Sequence, residues 1–141
     1  MHATTSAVLT LLGRVMLVAI FLMSAIGDKI PNFNVTVKAM AGEGVPLPAV
    51  ALVGAIAFLL VGSALVVLGW KTRWGATLLL VFLALATFYF HDFWNFSGDA
   101  VNEQQIDFSK NLAIAGGLLL LIAHGPGRLS VGLKKAPARG K

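Results

Sequence analysis

The 141-residue chain contains no cysteine. Disulfide scaffolding, thiolate metal sites, iron–sulfur ligation and thiol redox chemistry carried by this chain alone are therefore excluded. Charge is also scarce: 12% of residues are Asp, Glu, Lys or Arg, against ~25% in a typical soluble domain. Acids are the scarcer sign, six against eleven Lys and Arg, for a formal net charge of +5. What the chain has instead is apolar bulk. Hydrophobic residues make up 57%, and 15 glycines come on top, well above the ~45–50% apolar share of soluble domains. A soluble globule of this length has too little interior to hide that surface. An ordinary cytosolic domain, a disordered chain and a nucleic-acid-binding arm are excluded. The composition fits a chain dissolved in lipid.

A spanning helix needs ~20 mainly apolar residues. Four stretches qualify: residues 7–27, apolar except for Arg14; 48–70, opening at Pro48 because proline suits a first helical turn; 74–91; and 109–126, at the short limit and borrowing a turn from residues 106–109. In hydrocarbon only helices or closed barrels satisfy their backbone hydrogen bonds, and these runs do not alternate. The expected fold is all-α, a transmembrane four-helix bundle forming one domain, followed by a small basic tail over residues 128–141. The first run lacks a basic leading region, carries Arg14 and precedes three further spans, so it reads as a retained helix rather than a cleaved signal.

Orientation follows from Lys and Arg. The connection between the second and third spans (Lys71, Arg73) and the tail (Arg128, Lys134, Lys135, Arg139, Lys141) carry seven basic residues and no acid. The opposite side holds Lys29, Lys38 and Lys110 with all six acids: Asp28, Glu43, Asp92, Asp99, Glu103 and Asp107. Short basic loops stay in the cytoplasm, which places both termini inside, in a bacterial cytoplasmic (inner) membrane. Trp70, Trp74 and Trp94 fall at the ends of these spans, where an aromatic belt puts them.

Arg14 sits ~10 Å into the first span at ~1.5 Å per residue. A buried arginine is relieved by snorkelling to a lipid phosphate, by a cavity or ligand, or by a protein partner. No carboxylate lies on its side of the membrane, so those partners reduce to backbone carbonyls. On the acidic side, Asp28 and Lys29 end the first span, His91 and Asp92 end the third, and Lys110 opens the fourth. In a compact bundle they can converge on one polar pocket, where a histidine beside carboxylates and lysines can move protons; a solvated rim of helix ends is the plainer reading. Haem is not expected, because His91 and His124 lie at opposite faces and His2 is near the terminus, and no metal spacing stands out. The segment Asp92–Lys110, with four acids, one lysine and the aromatic run Phe93-Trp94-Asn95-Phe96, reads as an interfacial re-entry on the outer leaflet.

Small residues mark helix contacts, since close packing rather than hydrophobicity drives association in lipid. They are Gly54, Ala55, Ala57, Gly62, Ser63, Ala64 and Gly69 in the second span, and Ala113, Ala115, Gly116 and Gly117 in the fourth. They suit packing within the bundle, and a homo-oligomer face as the alternative.

Taken together, LLGRVMLVAIFLMSAIGDKI, the GEGVPLPAVALVGAIAFLLVGSALVVLGWKTRWGATLLL stretch, FYFHDFW and KNLAIAGGLLLLIAHGPGRLSVG resemble the DoxX-like small membrane proteins over nearly the whole chain. The likeness places Arg14 and Lys29 on family positions, a His-containing end on the third span and a Gly-x-Gly-x-x-Ser exit after the fourth. Many members carry a glutamate in the second span four residues before a glycine; here that place, ahead of Gly62, is Phe58. The resemblance implies association with membrane quinol or thiosulfate:quinone oxidoreduction, or with oxidative-stress assemblies at the bacterial inner membrane. Three functions are thereby weighed: a quinone-binding or docking subunit, at most accessory to an oxidoreductase because it carries no electron path of its own; a non-catalytic scaffold; and a small solute transporter. Proton-coupled export of cations wants a carboxylate within a span, and all six acids lie at or beyond the helix ends.

Overall fold

The computed structural model of the chain describes residues 3–131; His2 and the tail residues Lys134, Lys135, Arg139 and Lys141 lie outside them. Helix α1 (Ala3–Leu22) runs without a break into a π-helical turn (Met23–Lys29). A short helix α2 (Phe33–Gly42) follows, then α3 (Pro48–Leu68), α4 (Thr72–Phe90), a 3-10 turn (Phe93–Asn95) and α5 (Asp99–His124). No strand occurs among the described residues. Four helical runs, Ala3–Lys29, Pro48–Leu68, Thr72–Asn95 and Asp99–His124, are long and apolar enough to cross a membrane. The chain is a four-span helical bundle.

The limits follow local chemistry. Pro48 occupies the first turn of α3, where its missing N–H costs nothing. Gly69 ends that helix in the left-handed conformation (φ 72°). Asp99 stands in the first turn of α5, with the sign the helix dipole favours there. Two features depart from the expected spans. Helix α5 begins at Asp99, not near Ser109, so the supposed re-entry Asp92–Lys110 is mostly the opening of this helix. Its first turns are polar, and a search for apolar runs passes over them, but 26 residues at ~1.5 Å each exceed the ~30 Å of hydrocarbon. Helix α2 belongs to no span; it packs against α3 and the π turn at the acidic end.

Helices α3 and α4 form the centre, with α1 against α3 and α5 against α4. Val18, Phe21, Ala25, Leu59, Val66, Ala76, Leu79, Leu83, Leu118 and Leu121 make the core. The α3–α4 crossing is a backbone contact. A Cβ on Gly75 would stand 2.7 Å from Leu65 Cβ and 2.8 Å from Gly62 O, and one on Gly62 would meet Leu79 at 2.9 Å. Of the small residues expected to pack, Gly62 does so here and Gly117 against Leu17, from which its Cβ would stand 3.3 Å, whereas Gly54 meets open space and Ala57 and Ala64 are exposed. Ala113 and Gly116 are exposed.

The first turns of α1, the α3–α4 turn and the segment after α5 lie at one end. Thr10 fits against Gly127, and Val131 donates its N–H to Leu68 O at 2.9 Å. This end carries Lys71, Arg73 and Arg128 and no acid among the described residues. Trp70 and Trp74 are exposed there and Trp94 at the other end.

Replacing Gly75 with valine forces α3 and α4 apart, and overpacking of this kind costs about 1–3 kcal/mol or more. Thermal unfolding in detergent is expected to show a clear drop for Gly75→Val and little change for Gly116→Val, which meets open space.

Candidate functional site

Ala7, Arg14, Val18, Phe21 and Ala25 are the buried positions along the first helical run. Their spacing puts them on one stripe, so Arg14 faces the bundle interior and is 2% exposed. Its guanidinium donates from Nη1 to Val66 O at 3.2 Å and from Nη2 to Leu129 O. Of the readings open from sequence, helix contact through backbone carbonyls is the one the structure displays. Val66 lies in the last turn of α3, where carbonyls lack helical partners and the dipole is negative. Leu129 lies in the exit segment after α5, which folds back over that helix end. Glycine makes the approach possible: a Cβ on Gly69 would stand 2.4 Å from Ser130 Cβ and 2.5 Å from Arg14 Nη1, and one on Gly127 (φ 74°) would strike Thr10 at 2.8 Å. The Gly-x-Gly-x-x-Ser exit is thus a fitted closure. Arg73 adds a bond from Nη2 to Ala123 O at 3.3 Å.

The acidic end is hollow. A cavity of about 760 Å³ lies between α1 with its π turn, α2, α3 and α4, with Asn111 and Ile114 of α5 at its edge. Its walls are largely apolar, among them Phe21, Leu52, Phe58, Phe82 and Tyr89, and its polar rim holds Ser24, Asp28, Lys29, Asn32, Thr36 and His91. Phe58 of α3 therefore places an aromatic ring in the cavity wall.

The π turn aims the rim. In a π-helix each bond spans five residues, as Ile30 N to Ala25 O does at 3.0 Å, and such turns are frequent at functional sites. Lys29 Nζ donates to Ser24 Oγ, also five residues back, at 2.7 Å. It lies 3.7 Å from Asp28 Oδ2 and 5.7 Å from the centre of the Phe82 ring. The Lys29 side chain is 18% exposed and that of Asp28 61%. An ammonium has three donors, so beyond Ser24 and the loose Asp28 contact one remains for a ligand. Also on the lining, His91 Nδ1 is 2.9 Å from Gln104 Oε1; it acts as the donor there because an amide oxygen only accepts. Nε2 has no hydrogen-bond partner among the described residues.

Of the six residues singled out from sequence, the structure brings Asp28, Lys29 and His91 to one cavity. Asp92 lies beside them in the chain but accepts from Asn95. Lys110 pairs with Asp107 at 3.0 Å on the exposed face of α5. Arg14 belongs to the other end. Sequence reasoning missed Ser24, Asn32, Thr36, Tyr89 and Asn111, whose common depth shows only once α2 and the π turn are in place. No group of three or more His, Asp or Glu that could hold a metal ion occurs among the described residues.

The DoxX family profile matches residues 9–92, from the turn before Arg14 to the rim of the cavity. The chain belongs to the DoxX family. It is similar to the inner membrane protein YphA of Escherichia coli, 38% identical over 125 residues covering 88% of each chain. It is similar also to the inner membrane protein YqjF of the same organism, 36% identical over 122 residues covering 86% of this chain and 87% of that one. A Surfeit locus protein 4 homolog of Schizosaccharomyces pombe is 38% identical over 74 residues, 51% of this chain but 24% of that protein. No solved structure matches the chain. This DoxX-family chain is a multi-pass membrane protein, and the family match covers Arg14, Asp28, Lys29, His91 and Asp92 but stops short of α5.

Substituting Arg14 with glutamine leaves carbonyls at the end of α3 and in the exit segment short of donors. Bonds from a charged donor contribute about 1.5–3 kcal/mol each, so the closure is expected to loosen. Limited trypsin digestion at Arg128 is then at least ~tenfold faster than in the parent chain.

Proposed function

We propose that this DoxX-family protein resides in the bacterial inner membrane with both termini cytoplasmic, and binds a quinone in its acidic-end cavity as an accessory subunit of membrane redox machinery. The observation that carries the reading is the cavity itself: largely apolar walls closing on one half-buried ammonium. Ligand sites of ~300–1,000 Å³ with few polar groups are the common form, and about 760 Å³ falls in that range.

The residues fit the group. A quinone ring is flat and apolar, and its carbonyl oxygens accept hydrogen bonds without donating. Lys29 supplies a donor that Ser24 and Phe82 hold in place, and His91, oriented by Gln104, supplies a second polar group on the lining. Phe58, Phe82 and Tyr89 line the space such a ring would occupy. When bound, a quinone supplies two-electron chemistry; with no cysteine and no paired histidines, this chain binds and orients. His91 and the exposed carboxylate of Asp28 can pass protons between the cavity and the acidic-side water. Transport of cations has less support, because Phe58 stands where a carboxylate within the span would serve it. The inner-membrane placement is supported by the names of YphA and YqjF, and the orientation by Lys71, Arg73 and Arg128 gathering at one end.

Native mass spectrometry in mild detergent tests the ligand. One retained or added quinone per chain is expected. Lys29→Met removes a charged donor, a loss of about 1.5–3 kcal/mol, so retention falls at least ~tenfold, while Asp92→Asn and Lys110→Ala leave it unchanged. Protein that neither retains a quinone nor binds an added one defeats the reading. The orientation is checked by alkaline phosphatase fusions: inactive behind Lys141, active when inserted between Phe96 and Asp99.

A further inference from the structure

The cavity is thinly closed on the side of α4 and α5. A second hollow of about 250 Å³ lies on the far face of that helix pair, lined by Leu80, Ala84, Phe88, Trp94, Phe108 and Leu112 among others. Along α4 the facing alternates: Phe82, Ala86 and Tyr89 line the cavity, while Ala84, Thr87 and Phe88 line the hollow. Leu83 and Asn111 line both. The partition is therefore a single layer, made by Leu83 and by the hydrogen bond from Asn111 Nδ2 to Thr87 Oγ1 at 2.9 Å. Phe88, Trp94 and Leu112 are each more than half exposed, so the hollow opens to the bilayer rather than to water.

The partition is also weakly held. Helix α5 contributes two buried residues, Leu118 and Leu121, both in its half toward the basic end. Its acidic-end half is kept against α4 by the Asn111–Thr87 bond, the His91–Gln104 contact and edge-on packing of Phe108 against Phe93 and Trp94. Interhelical bonds of the Asn–Thr kind hold spanning helices only modestly. An amphiphile with its head at Lys29 has to direct its tail somewhere. The rim at Asp28 and Asn32 leads to solvent, where a tail is unfavourable. The α4–α5 partition leads to lipid.

We propose that the hollow between α4 and α5 is the tail subsite and lateral portal of the cavity. A ligand comes from the outer leaflet, passes Leu83 and Asn111 as the Asn111–Thr87 bond opens, and leaves its apolar tail against Ala84, Phe88, Leu112 and Ala115. This rests on the reading that the cavity binds an amphiphile with an oxygen-bearing head. It assigns the ligand class further: one unbranched or isoprenoid tail, long enough to reach the bilayer.

Two benzoquinones with the same ring, one bearing a decyl tail and one bearing none, form the test. Ala84→Phe with Ala115→Phe fills the hollow and leaves the cavity walls untouched. The expected result is binding of the decyl compound slowed at least tenfold, with the tailless ring bound as in the parent chain. Equal rates for the decyl compound in both proteins overturn the portal while leaving the cavity reading in place. Failure of both compounds to bind the parent chain overturns both proposals. Should the double variant not fold, the parent chain is photolabelled with a quinone carrying a diazirine at its tail end. Labels on Ala84, Phe88, Leu112 or Ala115 support the portal, whereas labels confined to Val35, Met40 and Ala51 route the tail past α2 and overturn it.

Discussion

A guanidinium buried in a lipid-embedded bundle without a carboxylate for company must find acceptors in the main chain, and that requirement organises the basic end. Arg14 takes the carbonyls of Val66 and Leu129, which ties the first helix to the end of α3 and to the chain leaving α5. The acceptors are well chosen electrostatically, because the last carbonyls of a helix carry its partial negative charge. Close contact follows: Gly69 and Gly127 are the places where a side chain would collide with Ser130 and Thr10. One cation thereby holds three segments that are far apart in sequence.

With the basic end closed and the α3–α4 crossing held by Gly62 against Gly75, the two ends of the bundle differ in kind. At the acidic end the helices separate around a cavity instead of filling it, and the π turn directs Lys29 inward at the mouth. At this end polar groups meet apolar surface of a size suited to a lipid-soluble molecule, which connects local backbone geometry to the binding reading.

Much of this was legible in the residues. Four apolar runs specified the spans, Pro48 marked a helix start within the chain, and the segregation of acids from bases separated the two ends. Arg14 stood out as a charge within a span, whereas the five candidates at the acidic end were chosen on depth, and depth does not give azimuth. Asp28, Lys29 and His91 face the cavity, whereas Asp92 and Lys110, at similar depth, turn to Asn95 and Asp107. Helix α2 and the first turns of α5 escaped because neither is apolar enough to stand out as a span, although both are helical.

The sequence by itself determined that this is a membrane protein of four spanning helices, with positive charge at one end and negative at the other. Hydrocarbon admits no other treatment of such long apolar runs, and the family match agrees. Only the tertiary structure decided which way each helix turned about its axis. Spanning helices are apolar all round, so their hydrophobicity marks no inward face; the choice is made by where glycines allow contact and where carbonyls await a donor. That rotation buried Arg14 as a tie between segments and set Lys29 at the mouth of a cavity, two basic residues in one helical run with opposite fates.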